Sequence, residues 1–264
     1  IGYKQHGFDI FDARTGIWQY TNQKNGLQND FVDGVAVVGN REAIWVSSGF
    51  GISMLPRQGD PTFFTNNNSA LETNQITAMT ADKSGTIWLG ASDAVYKVSA
   101  DNWTVYNQLS VLASRFPAGD ITGLAAAGDG TLWIGTFSGL NRLKDGRFSQ
   151  LTTREGLPND VICDLQDDGQ GNFWISTHGG IFRVGKADLN FCADGRSRKL
   201  VGLAYGLGDG LPSLQCAGGS QPASARTPDG RLWFPTAKGL VVVDPRGVRM
   251  NQLPPPVVIE QMLV

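Results

Sequence analysis

Histidine, cysteine and charge are all scarce in this chain. Two histidines and three cysteines occur among 264 residues, so metal or nucleophile chemistry built on those side chains has little to draw on. Cys163, Cys192 and Cys216 show no C-x-x-C spacing and are expected as small buried hydrophobes. A Cys192 to Cys216 disulfide is the pairing that the flanks of the one irregular segment would permit, given an oxidising compartment. Charged residues make up 17% of the chain with a net charge of -2, which excludes a strongly basic face, and nucleic acid is not an expected partner. No apolar run reaches the roughly 18 residues that cross a bilayer as a helix, and no signal-peptide pattern is expected at the start. Sustained 3.6-residue apolar spacing is also missing, so helix should be rare.

What the chain has instead is turns and a recurring tryptophan. Thirty-four glycines and twelve prolines punctuate short runs of Val, Ile, Leu, Phe and Trp, the composition of an all-β chain. A tryptophan stands inside an apolar run at Trp45, Trp88, Trp133, Trp174 and Trp233, at intervals of 43, 45, 41 and 59 residues. That period is the length of a four-stranded propeller blade. The fold class expected is therefore an all-β propeller of antiparallel blades, about five of them present.

Blade three shows the pattern most cleanly. Ile121 to Ala126 is its innermost strand, Gly128-Asp129-Gly130 a tight turn, and Thr131 to Gly135 the tryptophan strand. Leu140 to Lys144 follows as third strand, and an outermost strand surrounds Phe148 and Leu151. The same order divides the chain into blades at 21–66, 67–108, 109–153, 154–209 and 210–246. The stretch from Lys186 to Asp209 breaks the pattern and lengthens the last interval; its Arg196, Arg198 and Lys199 are expected as a solvated loop face. Ahead of the first full blade, Gly7 to Asp12 and Gly16 to Tyr20 look like a third and a fourth strand without the first two, and 221–244 supplies three strands without a fourth. The expectation is an arc of a larger, seven-bladed ring.

The tryptophans are expected to be core. Each would fill the wedge between neighbouring sheets, burying about 150–250 Å² of aromatic surface, worth on the order of 4–6 kcal/mol as an upper bound before entropy is subtracted. Polar chemistry is expected elsewhere, on the face shared by the outer-to-inner crossings and the turns between second and third strands. Gly26-Leu27-Gln28-Asn29-Asp30 and Gly156-Leu157-Pro158-Asn159-Asp160 are two such crossings, echoed at Gly210-Leu211-Pro212-Ser213. Their Asn and Asp side chains suit Asx-turns on the backbone, and the same face surrounds the mouth of the central channel.

The run from Glu155 to Val184 closely resembles the two-component regulator propeller repeat, and the resemblance extends to Asp229 to Pro245. Leu253 to Glu260 resembles the exit from such a propeller, so 1–252 is assigned to the propeller and 253–264 to a linker and first strand of a following immunoglobulin-like domain. The resemblance implies a periplasmic or otherwise extracytoplasmic sensor, part of a membrane-anchored protein whose kinase or cyclase modules lie outside this chain. It implies a non-catalytic platform for a small molecule or oligosaccharide, with the remaining blades and signalling domains of the parent protein, and a homodimer, as its partners.

On the channel face the ligand-binding candidates are Phe50, Asp93, Phe137, His178 and Lys238 in the turns after the tryptophan strands, with Asn159 and Asp160, and Asn29 and Asp30, in the crossings. Aromatic faces among amides and carboxylates suit sugar hydroxyls. No catalytic residue, cofactor or metal is expected. A streptogramin-lyase-like enzyme is the alternative, sharing the Asp-Gly-x-Leu-Trp type of repeat, but it needs a histidine with a partner carboxylate and a metal, and only His6 and His178 are available. The leading serine of a sialidase-type Asp-box is absent before Asp82. A protein-interaction scaffold is the third reading.

Overall fold

In blades two to five the hairpin turn ahead of the tryptophan sets the register of the blade. In blade four the Asp168 carboxylate accepts from the amides of Gln170 (2.7 Å) and Asn172 (3.1 Å), from Asn172 Nδ2 (2.8 Å) and from the indole Nε1 of Trp174 (3.3 Å). Burial pushes its pKa up, but these donors outweigh burial and hold it below the ordinary carboxylate range. Asp82 closes the equivalent turn through the amides of Ser84 and Thr86, and Asp129 through that of Thr131. In the last blade Thr227 takes the indole role, accepting from Trp233 Nε1 at 3.3 Å.

The computed structural model describes residues 2–3, 6–12, 15–38, 43–92, 94–99, 102–107, 120–219 and 222–248. They form an all-β propeller of five tryptophan-bearing blades preceded by a partial sheet. That sheet holds β1 (Gly2–Tyr3), β2 (Gly7–Asp12) and β3 (Ile17–Thr21), so a two-residue piece of second strand accompanies the expected third and fourth. Blade one is β4 (Gly34–Val38), β5 (Ala43–Ser48), β6 (Gly51–Pro56) and β7 (Thr62–Phe64). Blade two is β8 (Ala78–Ala81), β9 (Ile87–Gly90), β10 (Ala94–Ser99) and β11 (Asn102–Asn107). Blade three is β12 (Ile121–Ala126), β13 (Leu132–Thr136), β14 (Gly139–Lys144) and β15 (Arg147–Leu151). Blade four is β16 (Ile162–Asp167), β17 (Asn172–Thr177), β18 (Gly180–Gly185) and β19 (Gly202–Tyr205), with helix α1 (Lys186–Ala193) between the last two. Blade five is β20 (Ala225–Arg226), β21 (Leu232–Thr236) and β22 (Gly239–Val243). All pairing is antiparallel and follows chain order within each sheet. The segment assigned to a following domain, 253–264, lies outside the described residues.

Packing repeats as faithfully as pairing does. Trp45 packs with Ile76, Met79, Ile87 and Leu89 of the next blade, and Trp88 with Ile121, Leu124, Leu132 and Ile134. Trp133 packs with Ile162, Leu165, Phe173 and Ile175, and Trp174 with Leu232 and Phe234. The pleat explains the division: the tryptophan points forward to the next blade, and the residue before it points back to the previous one. Each described crossing drops a leucine into the interface it spans, Leu27, Leu71, Leu157 and Leu211 in turn.

Helix α1 departs from the loop expected after β18. Leu189 and Cys192 are its buried residues, and Arg142 of β14 anchors it from blade three. The Arg142 guanidinium donates to Asn190 Oδ1 at 2.9 Å and pairs with Asp194 at 2.5 Å, holding the Asp194 carboxyl below its usual range. Arg196, Arg198 and Lys199 are exposed, as a solvated face requires. All three cysteines are free and buried; the neighbour of Cys216 is Cys163, whose Sγ lies 3.3 Å from the Cys216 carbonyl oxygen, while Cys192 packs in the interface between blades three and four.

Blade five is tied to blade four by a buried carboxylate. Asp164 Oδ2 accepts from the amide (2.8 Å) and hydroxyl (2.7 Å) of Ser224, and Oδ1 from the amide of Leu165 (2.8 Å). Burial nonetheless pushes its pKa up to about 6. Because the folded value lies above the unfolded one, the contribution of this group is full below about pH 4 and lost as pH rises through about 6. Asp164→Asn is therefore expected to remove a decline of about 1–3 kcal/mol between pH 4 and 7.5, measured as the difference between wild-type and variant urea unfolding curves. Trp133→Ala is expected to cost about 3–5 kcal/mol by the same measurement. Trp233→Ala should cost less, since Trp233 is only half-buried.

Candidate functional site

The turn between second and third strands is built the same way in four blades. A hydroxyl at the end of the tryptophan strand accepts from a turn amide and donates to the carbonyl of the glycine that opens the third strand. Thr177 Oγ1 accepts from Gly179 N (3.0 Å) and donates to Gly180 O (2.9 Å), and Thr136 does so with Ser138 (3.1 Å) and Gly139 (3.0 Å). Ser48 pairs with Phe50 and Gly51, and Thr236 with Lys238 and Gly239. Gly180 adopts φ 106°, and a Cβ there would collide with the carbonyl of Tyr205 in β19, so the turn admits only glycine at this corner. With both ends fastened, the two middle residues face outward. Phe50 and Phe137 are about half exposed, and His178 and Lys238 are exposed.

The crossings close over these turns. Their first amide is held by the last acidic or amide residue, Gln23 N to Asp30 Oδ1 (2.6 Å), Asn66 N to Asn74 Oδ1 (2.8 Å) and Thr153 N to Asp160 Oδ1 (2.6 Å). Asn29 and Asn159 accept from the amides two residues on, Phe31 (2.9 Å) and Val161 (2.8 Å). These oxygens are therefore engaged in loop structure. The crossing lies directly on its neighbouring turn: His178 N donates to Val161 O (3.3 Å), and a Cβ at Gly179 would touch Asn159. The loop entering blade five joins the turns of blades four and five, through Cys216 N to Thr177 O (3.1 Å) and Ala237 N to Gln215 O (2.9 Å).

His178, Asn159 and Asp160 thus share one corner of the face, and Lys238 follows on the next blade. Phe50 meets a residue that sequence reasoning missed. Phe31, after the Asn29 turn, places its ring 6.4 Å from that of Phe50 at 45°. Beside this pair Gln28 Oε1 is buried without a hydrogen-bond partner among the described residues and lies against Gly51. Asp93 lies outside the described residues. A second concavity, about 350 Å³, sits at the opposite end of the inner strands, lined by Val37, Ala81, Ala126, Asp167 and Pro222 as well as Asp164. A Ser/Thr-x-x-Gly spacing after four of the five tryptophans is the legible sign of these turns; the Phe31 and Phe50 pairing carries none, because the two rings belong to separate loops.

A family model for the two component regulator propeller matches residues 156–179. Comparison with curated protein sequences gives no match. Among solved structures, the extracellular domain of a protein described as a hybrid two component system from Bacteroides thetaiotaomicron is similar with a TM-score of 0.70 at 20% identity, over 92% of this chain and 32% of that one. That of a one component system from the same organism gives 0.55 at 19%, over 91% and 34%. Virginiamycin B lyase from Staphylococcus aureus gives 0.54 at 13%, over 80% and 70%. The chain spans about a third of the length of the two extracellular domains. At these identities the likeness is one of fold. Residues 156–179 thus match the two component regulator propeller repeat, and the blades on either side repeat the same strands and turns.

Proposed function

We propose that this propeller is the non-catalytic sensing part of a membrane-anchored, extracytoplasmic signalling protein, and that it takes an oligosaccharide or similar small polyol on the face of crossings and tryptophan-strand turns. The observation that carries the reading is the paired, half-exposed rings of Phe31 and Phe50. Aromatic faces pack on the C–H side of a sugar ring. His178, Phe137 and Lys238 would extend the contact along the same rim. Likeness to the extracellular domains of a hybrid two component system and a one component system supports the signalling role. Binding would bias the placement of whatever modules follow the propeller, by its difference in affinity between their arrangements.

The lyase-like alternative has less behind it. No carboxylate is hydrogen-bonded to His178 among the described residues, and no group of three or more His, Cys, Asp and Glu is gathered there as metal ligands would be. A glycan array read with the full chain, followed by calorimetry on the best hit, tests the proposal. Phe50→Ala and His178→Ala are each expected to weaken binding by about tenfold or more, roughly 1.4 kcal/mol, with the melting temperature nearly unchanged. Binding that survives both substitutions would remove the rim from consideration.

A further inference from the structure

Four of the blade interfaces contain a tryptophan from the preceding blade, and a fifth does not. Between the β1–β3 sheet and blade one, Phe8, Leu27, Val32 and Val46 form the buried cluster, and a cavity of about 1020 Å³ opens beside it. Its inner wall includes Ile10 of β2, Val35 and Val37 of β4, Ile44 of β5 and Leu55 of β6, and polar groups such as Gln19, Asn25 and Arg57 also line it. Equivalent positions elsewhere are sealed. The residue before each tryptophan is 1% exposed at Ile87, 0% at Leu132, 1% at Phe173 and 0% at Leu232, each packed on the previous tryptophan, whereas Ile44 is only partly buried. Met79, Leu124 and Leu165 are buried against the previous blade, but their counterpart Val35 is not.

The register says what is wanted there. The third-strand residue three after the opening one, a glycine in four blades and Ala94 in blade two, always faces the tryptophan: Met54 pairs with Trp45, Lys97 with Trp88, Arg142 with Trp133, Arg183 with Trp174 and Val242 with Trp233. Ile10 stands three after Gly7. β1 pairs Gly2 with Phe8 and Tyr3 with Gly7, the register of Gly135 with Leu140 and Thr136 with Gly139, and among the described residues no strand continues that ladder to Ile10. We infer that this cleft is a docking surface for a Trp-bearing β-hairpin of the same propeller repeat, supplied from outside residues 1–264, which extends the β1 ladder and seats its tryptophan opposite Ile10 and against Ile44 and Val35. The interface already begun by β1 fixes both the direction and the register of the incoming strand. The inference is independent of the sensor reading.

The test uses the full chain with a copy of residues 121–133 fused directly ahead of Ile1, which places the copied tryptophan in register opposite Ile10. The expected result is a rise in melting temperature of about 5 °C or more and slower hydrogen exchange at the β2 amides. Both gains should vanish when the copied tryptophan is replaced by alanine, and when Ile10→Glu is made in the fused chain. If the fusion does not fold, residues 121–136 are added as a peptide in trans and the same amides are followed. Unchanged exchange at β2, or equal effects of the tryptophan and alanine hairpins, overturns the inference. So does a concentration-dependent dimer of the unmodified chain that protects β2, which would assign the cleft to a second copy.

Discussion

Tryptophan wedged between blades is the contact on which the rest of this structure depends. A single short strand carries both halves of it, because the pleat sends the indole forward and the preceding side chain back. The outer strands complete the setting from within the same blade, by stacking Phe64 on Trp45 at 5.4 Å and Tyr205 on Trp174 at 5.3 Å. The hairpin turn holds the other edge of the ring where an Asp or Thr accepts from the indole nitrogen. A large aromatic residue can be buried here without loss because its one polar atom is satisfied by the turn that positions it.

The same regularity separates stability from recognition. Hydroxyls and glycines fasten the turns after the tryptophan strands, and carboxylates and amides fasten the crossings, so the rim is rigid without contributions from the outward residues. Phe50, Phe137, His178 and Lys238 are therefore free to differ from blade to blade, which is the arrangement a binding face on a repeat protein requires. Asn159 and Asp160 belong to the other class, since their oxygens hold the backbone. Where the repeat is interrupted, the interior must accommodate charge: Arg142 is buried beneath helix α1, and Asp164 is buried at the seam of blades four and five.

Periodicity made the strand order, the turns and the buried tryptophans legible from the amino-acid sequence. All depend on contacts local in sequence or repeated at a fixed interval. Helix α1 was illegible because eight residues with only Leu189 and Cys192 buried give no apolar stripe, and its anchor, Arg142, lies about fifty positions earlier. The cysteines are buried and free, and the disulfide that an oxidising compartment would have permitted between Cys192 and Cys216 is not formed. That Cys163 is the neighbour of Cys216 was not legible, because the two lie 53 positions apart and meet only where blade four packs on the next.

By itself, then, the sequence determined an all-β array, the length of its unit and the face on which its variable residues lie, because turn chemistry and a two-residue strand period act over a few positions. Only the tertiary structure decided which of those residues meet. The pairing of Phe31 with Phe50, the burial of Asp164 against Ser224 and the cavity beside Ile10 all arise where segments from different hairpins converge. Distance along the chain carries no information about such meetings; the packing of one sheet on the next does.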